Sequence, residues 1–187
     1  MLERKLRRAA ELIGSFKQIV VDQSTYQRRS FELCEVVQEI ALAISPTLRR
    51  ASIELQDRTQ PGMAMQSFPG PLGQVLINLV NNAVVHAFEP EQAGVVCISA
   101  ALSTPGRLRV LVTDNGRGIP REHLKRVFDP FFTTRLGQGG SGLGLHIVHS
   151  LVTGLLGGRI EVDSEPGLGT RFCIDLPRVA PVAEPSA

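Results

Sequence analysis

Two asparagines four residues apart, Asn78 and Asn82, stand with Asn81 in a segment that is otherwise strongly apolar. Asparagine is a poor helix former, so a cluster of three in a helix interior implies a use beyond solubility. Their carboxamide oxygens are the hard donors that Mg²⁺ prefers, and a solvated helix face is the alternative. Downstream, Asp114-Asn115-Gly116-Arg117-Gly118-Ile119-Pro120 follows a strand-like run. A carboxylate at a strand end can accept a hydrogen bond from an exocyclic amino group, and glycines beside it let a flat base such as adenine lie against the backbone. An Asx-type turn accounts for the same residues without a ligand. A third cluster, Gly139-Gly140-Ser141-Gly142-Leu143-Gly144-Leu145, runs straight into a helical pattern. There, exposed amides and the helix dipole converge where a phosphate would bind. Ten of the eighteen glycines lie between Gly137 and Gly169, more than loop punctuation needs. In combination the three clusters read as metal, base and polyphosphate sites.

The elements that must hold these residues are visible as periodicities. From Pro71 to about Ala87, Leu72, Val75, Leu76, Leu79 and Ala83 mark one apolar helix face, and Gln74, Asn78 and Asn82 stack at i, i+4, i+8 beside it. An earlier helix carries Leu33, Val36, Val37, Ile40, Ala41 and Ile44 and is expected to close at Ser45-Pro46, because proline disfavours helix in the residue before it. A third is expected over 143–156. Short strands are predicted at Ile53–Gln56 and Met63–Phe68. Val95–Leu102 and Leu108–Thr113 read as a hairpin, as do Arg159–Asp163 and Thr170–Leu176 across Glu165-Pro166-Gly167. Several strands with helices to cover them predict an α+β chain folded as a two-layer α/β sandwich around a mixed sheet. Ahead of it, Leu2, Leu6, Ala9, Ile13, Phe16 and Val20 recur at spacings of four and three. That is either the seam of a helix pairing with another helix or a single amphipathic helix on its own domain. Asp22 to Ser30 reads as a linker, and Pro177 to Ala187 as a disordered tail.

Composition narrows the classes. With 187 residues, one main domain plus an attachment is expected. Lys+Arg 20 against Asp+Glu 18 gives a net charge of +2, too small a field to recruit nucleic acid or a membrane surface. Aromatics are only 5%, with no Trp, so base-stacking platforms are scarce and the core must be aliphatic. Cys34, Cys97 and Cys173 form no CxxC and suggest neither disulfides nor zinc, which fits a reducing compartment. No apolar run reaches the ~18–20 residues that span a bilayer, and the first residues lack a signal-peptide segment, so a cytoplasmic chain is expected.

Five segments in order resemble the nucleotide-binding boxes of sensor histidine kinases. Leu76 to Ala83 is similar to the N box, Asp114 to Gly118 to the G1 box, Phe128-Asp129-Pro130-Phe131-Phe132-Thr133-Thr134 to the F box, Gly142-Leu143-Gly144-Leu145 to the G2 box, and Gly167-Leu168-Gly169-Thr170 to the G3 box. The resemblance implies the Bergerat-type ATP-binding fold over residues 30–178, with ATP and Mg²⁺ as ligands. It implies that Asn82 binds Mg²⁺, that Asn78 contacts metal or phosphate, and that Asp114 recognises the adenine amino group while Gly116 and Gly118 shape its pocket. Gly142 and Gly144 would supply phosphate-binding amides, Thr170 would sit near the base, and Phe128 to Gly140 would form a lid. Ile119, Thr134, Leu143 and Leu145 complete the nucleotide set, with Arg135 on the β or γ phosphate. Asn78, Asn82 and Arg135 are thus the expected catalytic group. His86 either leans on the nucleotide or is simply packed.

Departures from the pattern sharpen the functional expectation. Val85 occupies a position that is basic in many relatives, so phosphate neutralisation must come from elsewhere. Relatives that hydrolyse ATP carry a glutamate base four residues before the metal-binding Asn, where this chain has Asn78; a carboxamide only orients, which favours a kinase over an ATPase motor. The family's acceptor histidine precedes an acidic residue and then proline, but His86, His123, His146 and His149 precede Ala, Leu, Ile and Ser. The resemblance therefore implies a catalytic fragment, inactive in cis, in which residues 1–29 are the second helix of a dimerisation and phosphotransfer domain and 179–187 a tail. It would transfer the ATP γ-phosphoryl to a histidine for relay to a response regulator, and would dimerise through the first helix in its parent. The alternative is a nucleotide-binding dimerisation module that transfers nothing; an anti-sigma type serine kinase is a third reading, in which the heptad helix has no place. His146 and His149, at i, i+3, lack a third metal ligand.

Overall fold

A five-stranded sheet organises the chain, in the order Ile53–Arg58, Gly94–Leu102, Arg107–Asp114, Gly169–Pro177 and Arg159–Glu165. The computed structural model describes residues 26–89, 92–135 and 140–181. The heptad segment Leu2–Val20 lies outside them. β1 (Arg29–Glu32) leads into α1 (Leu33–Arg50), followed by β2 (Ile53–Arg58), β3 (Ala64–Ser67) and α2 (Pro69–His86). β4 (Gly94–Leu102) and β5 (Arg107–Asp114) form the first expected hairpin; β6 (Arg159–Glu165) and β7 (Gly169–Pro177) form the second. Between the hairpins lie the one-turn helix α3 (Arg121–Leu124) and α4 (Gly144–Ser150), which widens into a π turn over Leu151–Leu155.

β2 runs parallel to β4 and every other pairing is antiparallel, so the sheet is mixed, as expected. Alternation decides its inner face. Val96, Ile98, Leu108, Val110, Val112, Phe172, Ile174 and Leu176 are buried beneath the helices, which contribute Leu33, Val37, Leu72, Leu76, Leu79 and Val148. Every residue placed on the apolar face of α2 is buried. At roughly 1.5–3 kcal/mol per buried large aliphatic side chain, this face is what fixes the rotation of α2 and turns Asn78 and Asn82 toward one edge of the sandwich.

Three local expectations are corrected. α1 does not stop at Ser45-Pro46 but continues to Arg50 with Pro46 inside it. A proline there deprives the Leu42 carbonyl of its helical donor, and the Ser45 hydroxyl donates to that carbonyl at 2.9 Å instead. The linker expected from Asp22 to Ser30 gives way to structure at its end: β1 begins at Arg29, because Arg29 and Ser30 pair with Ser67 and Gln66 of β3 in a separate two-stranded sheet. Finally, the stretch beyond Pro177 is not free at its start. Gln66 N–H donates to the Arg178 carbonyl at 2.7 Å, Ala180 N–H returns a bond to Gln66 at 2.9 Å, and Ala180 is buried. The described end is held because these backbone groups extend the small sheet; 182–187 lie outside the described residues.

The turn of the second hairpin brings Gly169 against β5. Gly169 has φ +87, and a Cβ there would run into the Asp114 carbonyl. Gly169→Ala is therefore expected to combine a left-handed backbone cost of about 1–2 kcal/mol with displacement of the Asp114 strand end. Chemical denaturation should show a loss of at least that size, together with weakened nucleotide binding.

Candidate functional site

Asp114 ends β5 and pairs across to Thr170 near the start of β7. Its Oδ1 accepts the Gly116 N–H at 2.9 Å, closing the turn that releases Gly116 to Pro120 from the sheet. Gly116 is buried, and a Cβ on it would strike the Ala87 carbonyl just beyond α2. That close approach, with the Arg117 N–H donating to the same carbonyl at 2.8 Å, ties the Asp114 loop to the C-terminus of the asparagine helix. Ser164 completes the base of the loop, its Oγ accepting the Ile119 N–H at 2.8 Å and lying 3.1 Å from Thr170 Oγ1.

Between these elements opens a cavity of about 350 Å³. Asn82 and His86 from α2, Asp114, Gly118 and Ile119 from the β5 loop, Thr134, Leu145 and Thr170 line it, so eight of the residues singled out from the sequence meet in one hollow. Asn82 and Asp114 face the same space from different elements. Burial pushes the Asp114 carboxyl above the ordinary aspartate value, against the opposing pull of the Gly116 N–H and the Thr170 backbone and hydroxyl. A half-desolvated carboxylate at the mouth of a sheet is a strong acceptor for an amino group.

The remaining expected residues stand around this space. Asn78, one turn before Asn82, donates its Nδ2 to the Gln74 carbonyl at 3.0 Å, and its Oδ1 is the atom nearest the missing side chain of Gly144. The start of α4 is thereby set against the asparagine stripe. Gly142 has φ +71 and abuts the Phe131 backbone, which seats the segment 128–135 against the glycine loop. Leu143 is buried, and Gly140 N–H bonds to the Arg135 carbonyl at 3.3 Å. Phe128 lies behind the cavity rather than in it, packed against Phe172 and His149. Arg135 is engaged beside the cavity: its Nη2 donates to the Phe88 carbonyl at 3.4 Å and reaches Glu89 at 3.7 Å.

His86 lines the cavity. Burial, then the positive charges of Arg135 and Arg117, lower its pKa to about 4, so its imidazole is neutral at physiological pH. Its Nδ1 lies 3.3 Å from the Thr134 hydroxyl. Sequence reasoning missed Arg117, Pro120, His123, Val127, Phe132, Thr133 and Pro166, all of which line the same space. Arg117, Phe132 and Thr133 lie within recognised boxes, so that signal was available. His123 carried none: its ring meets Phe132 edge-on at 5.4 Å only because α3 folds over the cavity. His146 Nδ1 sits 3.2 Å from the Phe128 carbonyl, and no group of three metal-binding side chains exists among the described residues.

The family model for histidine kinase-, DNA gyrase B- and HSP90-like ATPases matches residues 68–180. The chain belongs to this family. Sensor histidine kinase ZraS of Klebsiella oxytoca is 37% identical over 150 residues, covering 80% of this chain and 31% of that protein. Among solved structures, the catalytic domain of histidine kinase ThkA superposes with a TM-score of 0.71 at 29% identity, covering 82% of this chain and 97% of that one. Full-length ShkA in complex with AMPPNP gives 0.72 at 30% identity, covering 84% of this chain and 32% of that one. The chain is thus a histidine kinase-type ATPase catalytic domain, and it spans about a third or less of the curated relatives it matches. No helix among the described residues is long and apolar enough to cross a membrane.

Proposed function

We propose that this domain binds Mg-ATP and transfers the γ-phosphoryl to a histidine, from which a response regulator receives it. The observation that carries the reading is the convergence of Asn82 and Asp114 on one cavity, with Thr170 between strands at its base. The donor set fits the ligand. A desolvated carboxylate faces the base end, a carboxamide oxygen suits a hard cation, and Ile119, Val127, Leu145 and Pro166 supply apolar walls for a ring. Bound Mg²⁺ supplies charge neutralisation on the phosphates.

The chain's own residues then account for the rest. Asp114 accepts the adenine amino group, and Gly116 and Gly118 leave room for the ring. Asn82, with Asn78 a turn away, would hold the metal through its amide oxygen. Gly142 and Gly144 offer bare amides to the phosphates at the start of α4. His86, being neutral, can donate or accept one hydrogen bond without adding charge. Neither asparagine can take a proton from water near neutral pH, so hydrolysis stays slow and the phosphoryl group is kept for an imidazole nucleophile. Arg135 would exchange Glu89 for phosphate when the segment closes, since an exposed carboxylate holds it only weakly.

Mixing this chain with Mg-ATP and a protein bearing an intact acceptor helix tests the reading. An acid-labile, base-stable phosphoprotein is the expected product. Nucleotide binding with no phosphoprotein would favour a dimerisation module without transfer, and an acid-stable product a serine kinase.

A further inference from the structure

At the opposite end of the sheet from Asp114, a second concavity of about 400 Å³ is lined by Ser103, Thr104, Arg107, Arg109, Gly157, Gly158, Arg159 and Asp175. The register explains the gathering of charge. Arg109 on β5 and Arg159 on β6 both stand directly across from Asp175 on β7, so all three project from one face. Arg107 reaches the same carboxylate from two residues before Arg109. Two guanidiniums, of Arg107 and Arg159, thus meet one carboxylate, and that of Arg109 lines the same concavity.

That carboxylate is already committed. Asp175 is buried, its Oδ2 takes the Arg107 Nε at 2.7 Å and its Oδ1 the Ser103 hydroxyl at 2.9 Å. Burial alone would raise its carboxyl, but the bonds from Arg107 and Ser103 and the charges of Arg107 and Arg159 outweigh this and hold it below the ordinary range. Arg107 spends a second donor on the Asp175 carbonyl at 3.1 Å. Asp175 therefore forms a neutralised floor that orients Arg107. Arg159 touches it only at 3.8 Å with a side chain 68% exposed, and Arg109, also exposed, makes no ion pair among the described residues. Two planar forks remain over the floor with a local surplus of positive charge. Guanidinium forks match oxyanions bidentately, and two of them favour a doubly charged group.

We propose that this groove binds a phosphate group, independently of the nucleotide cavity. Arg109 stands five residues from Asp114, roughly 17 Å along β5 at ~3.4 Å per residue, and the two positions alternate to opposite faces of the sheet, so one nucleotide cannot occupy both. The phosphate is either free or the terminal group of a small metabolite.

Titration with inorganic phosphate, followed by backbone amide NMR on the full chain, tests this. Asn82→Ala serves as background, to silence the nucleotide cavity. Saturable shifts are expected at Ser103–Arg109 and Gly157–Arg159, weakened at least about tenfold in Arg109→Ala/Arg159→Ala, while ATP binding in an otherwise wild-type chain carrying that double change is retained. A glucose 1-phosphate titration at the same amides separates an esterified phosphate from a free one. Absence of shifts at millimolar phosphate, or shifts indifferent to the double substitution, would overturn the assignment. Both arginines are exposed, so loss of fold does not confuse the result.

Discussion

Asn82→Ala is expected to abolish magnesium-dependent ATP binding while leaving the domain as stable as the parent. Removing a partner that merely orients a metal ligand costs 10–100-fold, so losing a direct ligand should cost about 100-fold or more. The fold has no reason to suffer. Asn82 is half-buried in the interior of an 18-residue helix whose apolar side is carried by Leu72, Leu76, Leu79 and Ala83. Alanine is the better helix former there by up to about 0.7 kcal/mol. Calorimetric titration with and without Mg²⁺, beside a thermal melt, separates the two effects. Unchanged ATP affinity would remove the metal site from the account.

Asp114 should show the opposite coupling between function and stability. Asp114→Ala removes a charge-assisted hydrogen bond of about 1.5–3 kcal/mol, which is roughly 10–100-fold in ATP affinity. GTP, which has no exocyclic amino group at that position of its ring, should be little affected, so discrimination between the two collapses. Asp114→Asn probes the burial cost separately, because an amide oxygen can still accept the Gly116 N–H. Burial raises the Asp114 carboxyl in the folded state, so folding binds the proton more tightly than the unfolded chain does. The ionised form is accordingly penalised at neutral pH, and stability is regained as pH falls through the raised folded value. The Asn variant should therefore melt higher than wild type at neutral pH, with the gap narrowing on acidification. ATP affinity of the wild type should fall on acidification at a higher pH than for an ordinary aspartate. A variant less stable than wild type at neutral pH would contradict the burial argument.

His86 illustrates how chemistry and packing trade places. On sequence a histidine at the end of an amphipathic helix is more often packed or solvated than in contact with a ligand. Burial does most to keep the ring neutral, and the charges of its neighbours Arg135 and Arg117, from segments 49 and 31 positions away, add to it. Both arginines also meet Glu89, at 3.7 Å and 3.3 Å.

What residue order alone determined about this protein is whatever depends on contiguous chain. The stripe of Asn78 and Asn82 beside Leu72, Val75, Leu76 and Leu79, the two hairpins with their Pro-Gly turns, and the glycine loop entering α4 are short-range patterns whose geometry follows from helical or strand periodicity. Tertiary structure decided what joins distant segments: the parallel pairing of β2 with β4, the separate β1–β3 sheet sealed by Ala180, the passage of α1 through Pro46, and the crowding of Arg107, Arg109 and Arg159 around Asp175. Long-range register is chosen by which faces bury together, and no local period records that choice. The cavity belongs to both kinds. Its Asn82 and Asp114 were legible as types with a chemistry, but their meeting in one hollow, with His123 and Phe132 as its wall, exists only because Gly116 lets the β5 loop close on the end of α2.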